Sequence, residues 1–241
     1  MSLIRQTATA TTLLLLFACG QDGVDAEELA QSGAKSTVEV GAASAFLLAL
    51  SQDLEEDGEL QPYTPEDCVG RAKSGTTTTY TFDGCEGSYG GVVVDGTVEV
   101  QMLLADLPAL SYTVSSTDLT INEQPLELSA DVTYDARVPS LEAETSTEST
   151  WTGAWSVDGS DCLVLDGSWT ASTRLADTEV EVVGLTFCDD ECLASSGSVT
   201  ASRDGARRDE SVVVSIIFGE TVVWSTSGGR SGEVELTCLA E

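Results

Sequence analysis

The residues of this chain that could do chemistry are carboxylates, thiols and hydroxyls. Histidine is absent. That removes the Ser-His-Asp triad, Cys-His nucleophile pairs, His-ligated zinc and the commonest general base. A glycosidase-type carboxylate pair remains possible in principle. With 41 Asp and Glu in 241 residues, however, no two acids stand out as a couple. No GxSxG, P-loop, HExxH or phosphate-cradling GxGxxG is present. The sequence therefore excludes most familiar catalytic sites, and an enzyme is not expected.

Cys19 is the thiol with the clearest assignment. It ends the run Leu13-Leu14-Leu15-Leu16-Phe17-Ala18-Cys19, preceded by Arg5 in an otherwise uncharged stretch. The apolar block is too short to span a bilayer, which takes about 20 residues. A basic start, a greasy middle and a small residue before a cysteine resemble a bacterial lipoprotein signal. The resemblance covers residues 1–20. It implies a cleaved signal peptide at 1–18 and a lipidated Cys19 as the mature N-terminus. The membrane partner would be reached through that lipid, in the cell envelope. Gly20 stands where enteric retention signals carry Asp, which points to the outer membrane. Each buried methylene contributes about 0.8 kcal/mol, so two or three acyl chains hold a protein permanently.

Export places the other cysteines in an oxidising compartment. Cys68, Cys85, Cys162, Cys188, Cys192 and Cys238 then read as three disulfides. Cys188 and Cys192 flank Asp189-Asp190-Glu191 at an apparent hairpin tip, which predicts Cys188–Cys192. Cys68–Cys85 are neighbours, which leaves Cys162–Cys238 to tie back the last strand. Cys162–Cys188 with Cys192–Cys238 is the alternative. The CxxxC spacing without histidine argues against zinc.

One segment could hold a cation. Asp53-Leu54-Glu55-Glu56-Asp57-Gly58 places acids at alternate positions before a glycine, and partly resembles an EF-hand loop. The resemblance implies Asp53, Glu55 and Asp57 as calcium ligands. It departs at the twelfth position, where Thr64 stands instead of a bidentate Glu. Trp151 and Trp155 share strand parity and could stack on a sugar, although core packing is the ordinary role of such residues. Arg207-Arg208 sits among Asp204, Asp209 and Glu210 and reads as a charge-compensated loop.

The elements that must position these residues are mostly strands. Residues 19–37 are small and polar and read as a flexible tether. Residues 38–67 contain one helix, near Val40 to Leu54, with Phe46, Leu47, Leu50 and Leu54 on one face. From 68 to 241 the pattern has a period of two. Val92, Val94, Val98, Val100 and Met102 alternate with polar residues, as do Leu126, Leu128, Ala130, Val132 and Tyr134. The expected fold is all-β: an antiparallel β-sandwich or a strongly curved, barrel-like sheet, preceded by one helix. A weak repeat, about 76–136 and 150–203, aligns Val94-Asp95-Gly96 with Leu165-Asp166-Gly167 and suggests two related half-sheets. In both copies the apolar parity switches mid-strand, after Val114 and after Val182. That predicts a β-bulge or a change of strand partner.

A net charge of −31 makes nucleic acid an unsuitable partner. The leading expectation is a non-catalytic envelope lipoprotein, structural or interacting, with an unknown envelope protein, glycan or apolar ligand as partner. An apolar-ligand carrier with a cavity inside a curved sheet is the first alternative. A calcium-stabilised adhesion or glycan-binding module is the second.

Overall fold

A computed structural model describes residues 25–55, 63–65, 67–87, 92–106, 109–116, 118–147, 150–159, 162–172, 176–188, 193–204 and 211–236. Helix α1 runs over Ala26–Glu55. The strands are β1 (Tyr63–Thr64), β2 (Val69–Ser74), β3 (Thr77–Gly87), β4 (Val93–Asp106), β5 (Ala109–Ser116), β6 (Thr120–Ile121), β7 (Gln124–Pro125) and β8 (Leu128–Asp135). There follow β9 (Ser140–Thr147), β10 (Trp151–Gly159), β11 (Cys162–Ser172), β12 (Asp177–Cys188), β13 (Ser196–Asp204), β14 (Ser211–Phe218), β15 (Val222–Thr226) and β16 (Ser231–Val234). They form one antiparallel sheet in the order β1-β3-β4-β5-β8-β9-β10-β11-β12-β13-β14-β15-β16. Among the described residues β1 and β16 do not pair, so the sheet is open. It curls around α1, which touches β3 and each strand from β10 to β16.

The helix is longer than the sequence pattern indicates. It begins at Ala26, so 26–37 is not a flexible tether. Asp25 caps it: its Oδ1 accepts from Glu27 N at 3.0 Å, and Glu27 and Glu28 sit in the first turn, favoured by the helix dipole. At 1.5 Å per residue its 30 residues span about 45 Å. It is buried on nearly every side rather than along one stripe. Its first half is small: Ala30, Gly33, Ala34, Ser36, Gly41 and Ala43 are all buried. Such residues let the sheet come close. A Cβ on Gly33 would lie 2.8 Å from Ala201 Cβ. Its buried hydroxyls return to the helix backbone: Ser36, Thr37, Ser44 and Ser51 donate to Gly33 O, Ala34 O, Val40 O and Leu47 O at 2.5–2.9 Å. These four hydroxyls are thus satisfied without water.

Period-two alternation runs through the long strands of the sheet, while β2 is exposed along nearly its whole length. Val98, Val100, Tyr112, Val114, Val132 and Tyr134 face the helix, while Thr, Ser and Glu face outward. Both parity switches coincide with irregular backbone. The chain leaves β5 at Ser116 and re-enters as β6, which pairs with Val94 and Asp95 of β4. On β12 the register against β13 shifts between Val183 and Thr186. Left-handed glycines mark the β12 switch and the bulge of β3 against β4. Gly184, at φ 60°, donates its N–H to Asp166 Oδ1 at 2.8 Å; Gly84, at φ 61°, donates to Asp95 Oδ1 at 2.6 Å. The two Asp-Gly pairs of the weak repeat therefore perform the same task.

Cys68–Cys85 is bonded as expected, with Cα atoms 5.4 Å apart. The expected Cys162–Cys238 and Cys188–Cys192 bonds give way to Cys162–Cys188, Cα–Cα 4.4 Å. Cys162 and Cys188 are direct partners in the β11–β12 ladder. Pairing of β12 with β13 stops at Thr186 and Ser196, two residues before Cys188. The neighbour across the ladder from Cys188 is therefore Cys162. Cys192 and Cys238 lie outside the described residues.

Two outcomes follow. Peptide mapping without reduction will recover the Cys68–Cys85 and Cys162–Cys188 linkages; a Cys188–Cys192 peptide would contradict the β11–β12 register. Gly33→Leu will destabilise the fold by about 1–3 kcal/mol or more through overpacking, whereas Lys35→Leu, on the exposed side, will change it by less than about 0.5 kcal/mol. Urea unfolding checks both.

Candidate functional site

Because α1 covers the apolar inner face, the surface left to a partner is the outer face of the sheet. One row crosses it through paired residues of eleven strands: Gln101, Thr113, Asp131, Glu144, Ala154, Ser168, Glu181, Thr200, Ser215, Ser225 and Ser231. Its centre is shallow because β10 and β11 carry small residues. Ala154, Ser156, Gly167 and Ser168 form a floor. Asp131, Glu142 and Glu144 stand on one side and Glu179 and Glu181 on the other. Two open cavities occupy this trough, about 620 Å³ over β5–β11 and about 520 Å³ over β10–β13. Neighbouring strands lie about 4.8 Å apart, so the walls at Glu144 and Glu181 are about 14 Å apart across the floor. Asp166, at one edge, is engaged by Gly184 N.

The small floor has a reason on the other face. Trp155 pairs with Gly167, and Trp169 pairs with Gly153. Each bulky indole turned toward the helix sits across from a glycine, so the sheet bends tightly there. Trp151 and Trp155 pack edge to face with centroids 5.2 Å apart, and Trp169 Nε1 donates to Ser36 Oγ at 3.0 Å. All three indoles are buried, so a sugar-stacking row of Trp151 and Trp155 is replaced by core packing.

The expected cation ligands are not assembled. Asp53 is 1% exposed and its Oδ1 accepts from Arg71, which also lies over the Tyr80 ring at 5.7 Å. A guanidinium occupies the place of a cation. Glu55 ends the helix, and Asp57 lies outside the described residues. Among the described residues, no three acids or cysteines are placed to hold a metal ion. Cys19 also lies outside the described residues.

Asp53 belongs instead to a polar cluster at the C-terminal end of α1. Ser51 Oγ and Tyr112 Oη share a hydrogen bond of 2.5 Å, and Tyr63 Oη donates to Phe46 O at 3.4 Å. Burial pushes the hydroxyls of Tyr63, Tyr80 and Tyr112 well above the usual phenol range, so they remain protonated donors. At the opposite end of the helix, Arg203 donates to Thr178 Oγ1 at 2.8 Å and to Glu28 Oε1 at 3.2 Å. Arginines thus fasten the helix to the sheet at both ends. The Asx cap at Asp25 was a legible sign of the early helix start. The trough had no local signal, since it depends on strands distant in sequence.

Comparison with family profiles, curated proteins and solved structures finds no match to this chain.

Burial holds the Asp53 carboxyl above its ordinary value, against the opposing pull of Arg71. The folded protein therefore keeps that proton more readily than the unfolded chain, where Asp titrates near about 3.9. The contribution to stability is complete below that pH and is lost as pH rises through the higher folded value. In Asp53→Asn this dependence disappears, and Arg71, 30% exposed, retains access to water. Urea unfolding from about pH 4 toward neutrality will show wild type losing stability relative to Asp53→Asn; a constant difference would contradict the burial.

Proposed function

We propose that this chain is a lipid-anchored protein of the bacterial cell envelope, without catalysis, that presents the outer face of a curled sheet to a partner. The observation that carries this reading is the position of α1. A curved antiparallel sheet alone would expose an apolar inner face suited to a lipid-like ligand. Here Leu29, Val40, Phe46, Leu47, Leu48 and Leu50 cover that face and are themselves 0–1% exposed. The carrier reading needs the space that the helix fills. The outer trough, with carboxylate walls and a floor of small and hydroxyl side chains, suits a polar or cationic partner surface. It disfavours polyanions.

The anchor supplies the address. Cys19 follows an apolar run too short to span a bilayer, and among the described residues no helix is long and apolar enough to cross a membrane. The disulfides Cys68–Cys85 and Cys162–Cys188 are in keeping with an exported chain. The outer membrane is the proposed location, on the strength of Gly20.

Metabolic labelling with an alkyne-tagged fatty acid in a bacterial host tests the anchor. Wild type will carry the label and fractionate with membranes. Cys19→Ala will lose both. Label retained in Cys19→Ala, or none in wild type, would overturn the assignment. Metal-independent turnover in a broad hydrolase screen would overturn the non-catalytic part.

A further inference from the structure

The start of α1 limits how far the folded body can stand from its anchor. Asp25 is held by the fold: its Oδ1 lies 3.6 Å from Arg230, and its carbonyl accepts from Leu29 N at 3.0 Å. Cys19 precedes it by six residues. A fully extended chain covers at most about 21 Å over that distance. The turn before β16 therefore stays within that span of any lipid on Cys19, whatever path the link takes.

The outer face beside that turn has an unusual composition. Six large apolar side chains are exposed among the described residues: Leu103, Val138, Val183, Val213, Ile217 and Val223. Four of them lie on β12, β14 and β15. Val183, Ile217 and Val223 fall in a single cross-strand row, interrupted only by Ser198 of β13, with exposures of 59%, 55% and 40%. Val213 shares the outer face of β14 with Ile217, four residues away. On β15, Val223 is two residues from Ser225, which pairs with Ser231 next to Arg230. The apolar row thus begins about 10 Å from Arg230, the residue that pairs with Asp25, given about 3.4 Å of rise per residue. Exposed apolar side chains gathered on one face in this way mark a contact surface.

We propose that the outer face of β12–β15, through Val183, Ile217, Val223 and Val213, rests on the leaflet that holds the Cys19 lipid. This rests on the lipid-anchor reading above. The occupant is a bilayer because the covalent link keeps one within reach of the row at all times, whereas a soluble partner would have to be recruited. The net charge of −31 repels an anionic leaflet, so the apolar row and the short link have to outweigh that repulsion. The anchor supplies the attachment, so the face has only to set the orientation, at the high effective concentration of a short link. The row is bordered by the uncharged Ser198, Ser215 and Ser225 and, at its two ends, by exposed Glu181 on β12 and by Glu233, which pairs with Val223. With this face down, the part of the trough over β8–β11 turns away from the membrane, and Glu179 and Glu181 on β12 lie at its boundary.

The test uses the mature chain with a hexahistidine tag in place of Cys19, bound to phosphatidylcholine vesicles containing a nickel-chelating lipid. This fixes the N-terminus at the surface whatever a cell does to Cys19, so failure of lipidation in cells and failure of docking are separate results. An environment-sensitive fluorophore is attached to the added thiol of Ile217→Cys, and in a control to Thr133→Cys, on the outer face of β8. With nitroxide in the acyl chains, emission at 217 will fall about twofold or more and shift to the blue, and emission at 133 will not change. Equal quenching at both sites, or none at 217, would overturn the proposal. Val223→Cys gives the same reading if the first variant fails to fold.

Discussion

A single helix enclosed by a sheet is the constraint on which the rest of this structure depends. An α-helix satisfies its own backbone hydrogen bonds, so it can be surrounded by apolar side chains without stranding polar groups. That demands small or apolar residues all round, and α1 provides them, with Gly33 and Gly41 at the closest approaches to Ala201 and Phe187. Charge is kept to the ends and to the Lys35–Glu39 pair on the exposed side. Arg203 engages Glu28 at one end, and Arg71 engages Asp53 at the other. Two of the few cations in this acidic chain are thereby committed to holding the helix in the sheet.

Enclosing a helix requires the sheet to bend, and flat pleated strands do not bend cheaply. The curvature is concentrated at irregular points. Gly84 and Gly184 take left-handed backbone, and the carboxylates of Asp95 and Asp166 on the neighbouring strands receive their N–H groups. Each disulfide lies near one of these corners. Cys85 follows Gly84 directly, and Cys188 is four residues after Gly184. A bulge weakens the local ladder; Cys162–Cys188 links the two strands of the irregular β11–β12 ladder, and Cys68–Cys85 ties the bulged β3 to the residue before β2. Between the corners, the Trp155–Gly167 and Trp169–Gly153 pairs let the sheet fold tightly where indoles face the helix.

The outer face then divides by composition. Over β8–β12 it is a trough of carboxylates and hydroxyls. Over β12–β15 it carries an aliphatic row. The first repels polyanions. The second lies beside the end of the helix that leads to Cys19. The two proposals for this protein, an anchored module and an oriented one, are therefore connected by α1, which sets both what is hidden and which side lies close to the lipid.

Much of this fold was written in local sequence. The alternation in Val92–Met102 and Leu126–Tyr134 determined antiparallel strands with one wet face, because strand side chains alternate strictly. The parity switches after Val114 and Val182 determined where the ladder breaks. Cys68–Cys85 followed from proximity along the chain. Other features depended on the tertiary structure. The stretch 26–37 looks like a linker by composition, since its Gly, Ser and Thr are weak helix formers and its small side chains show no large apolar stripe until a sheet closes over them. Asp53 looks like a cation ligand until Arg71, 18 residues later, is brought beside it. Cys188 finds Cys162 rather than Cys192 because ladder register, not sequence distance, sets which Cα atoms come within bonding range. The trough and the apolar row join residues from strands far apart in the chain. No window of sequence contains either, and only the order and register of the strands assemble them.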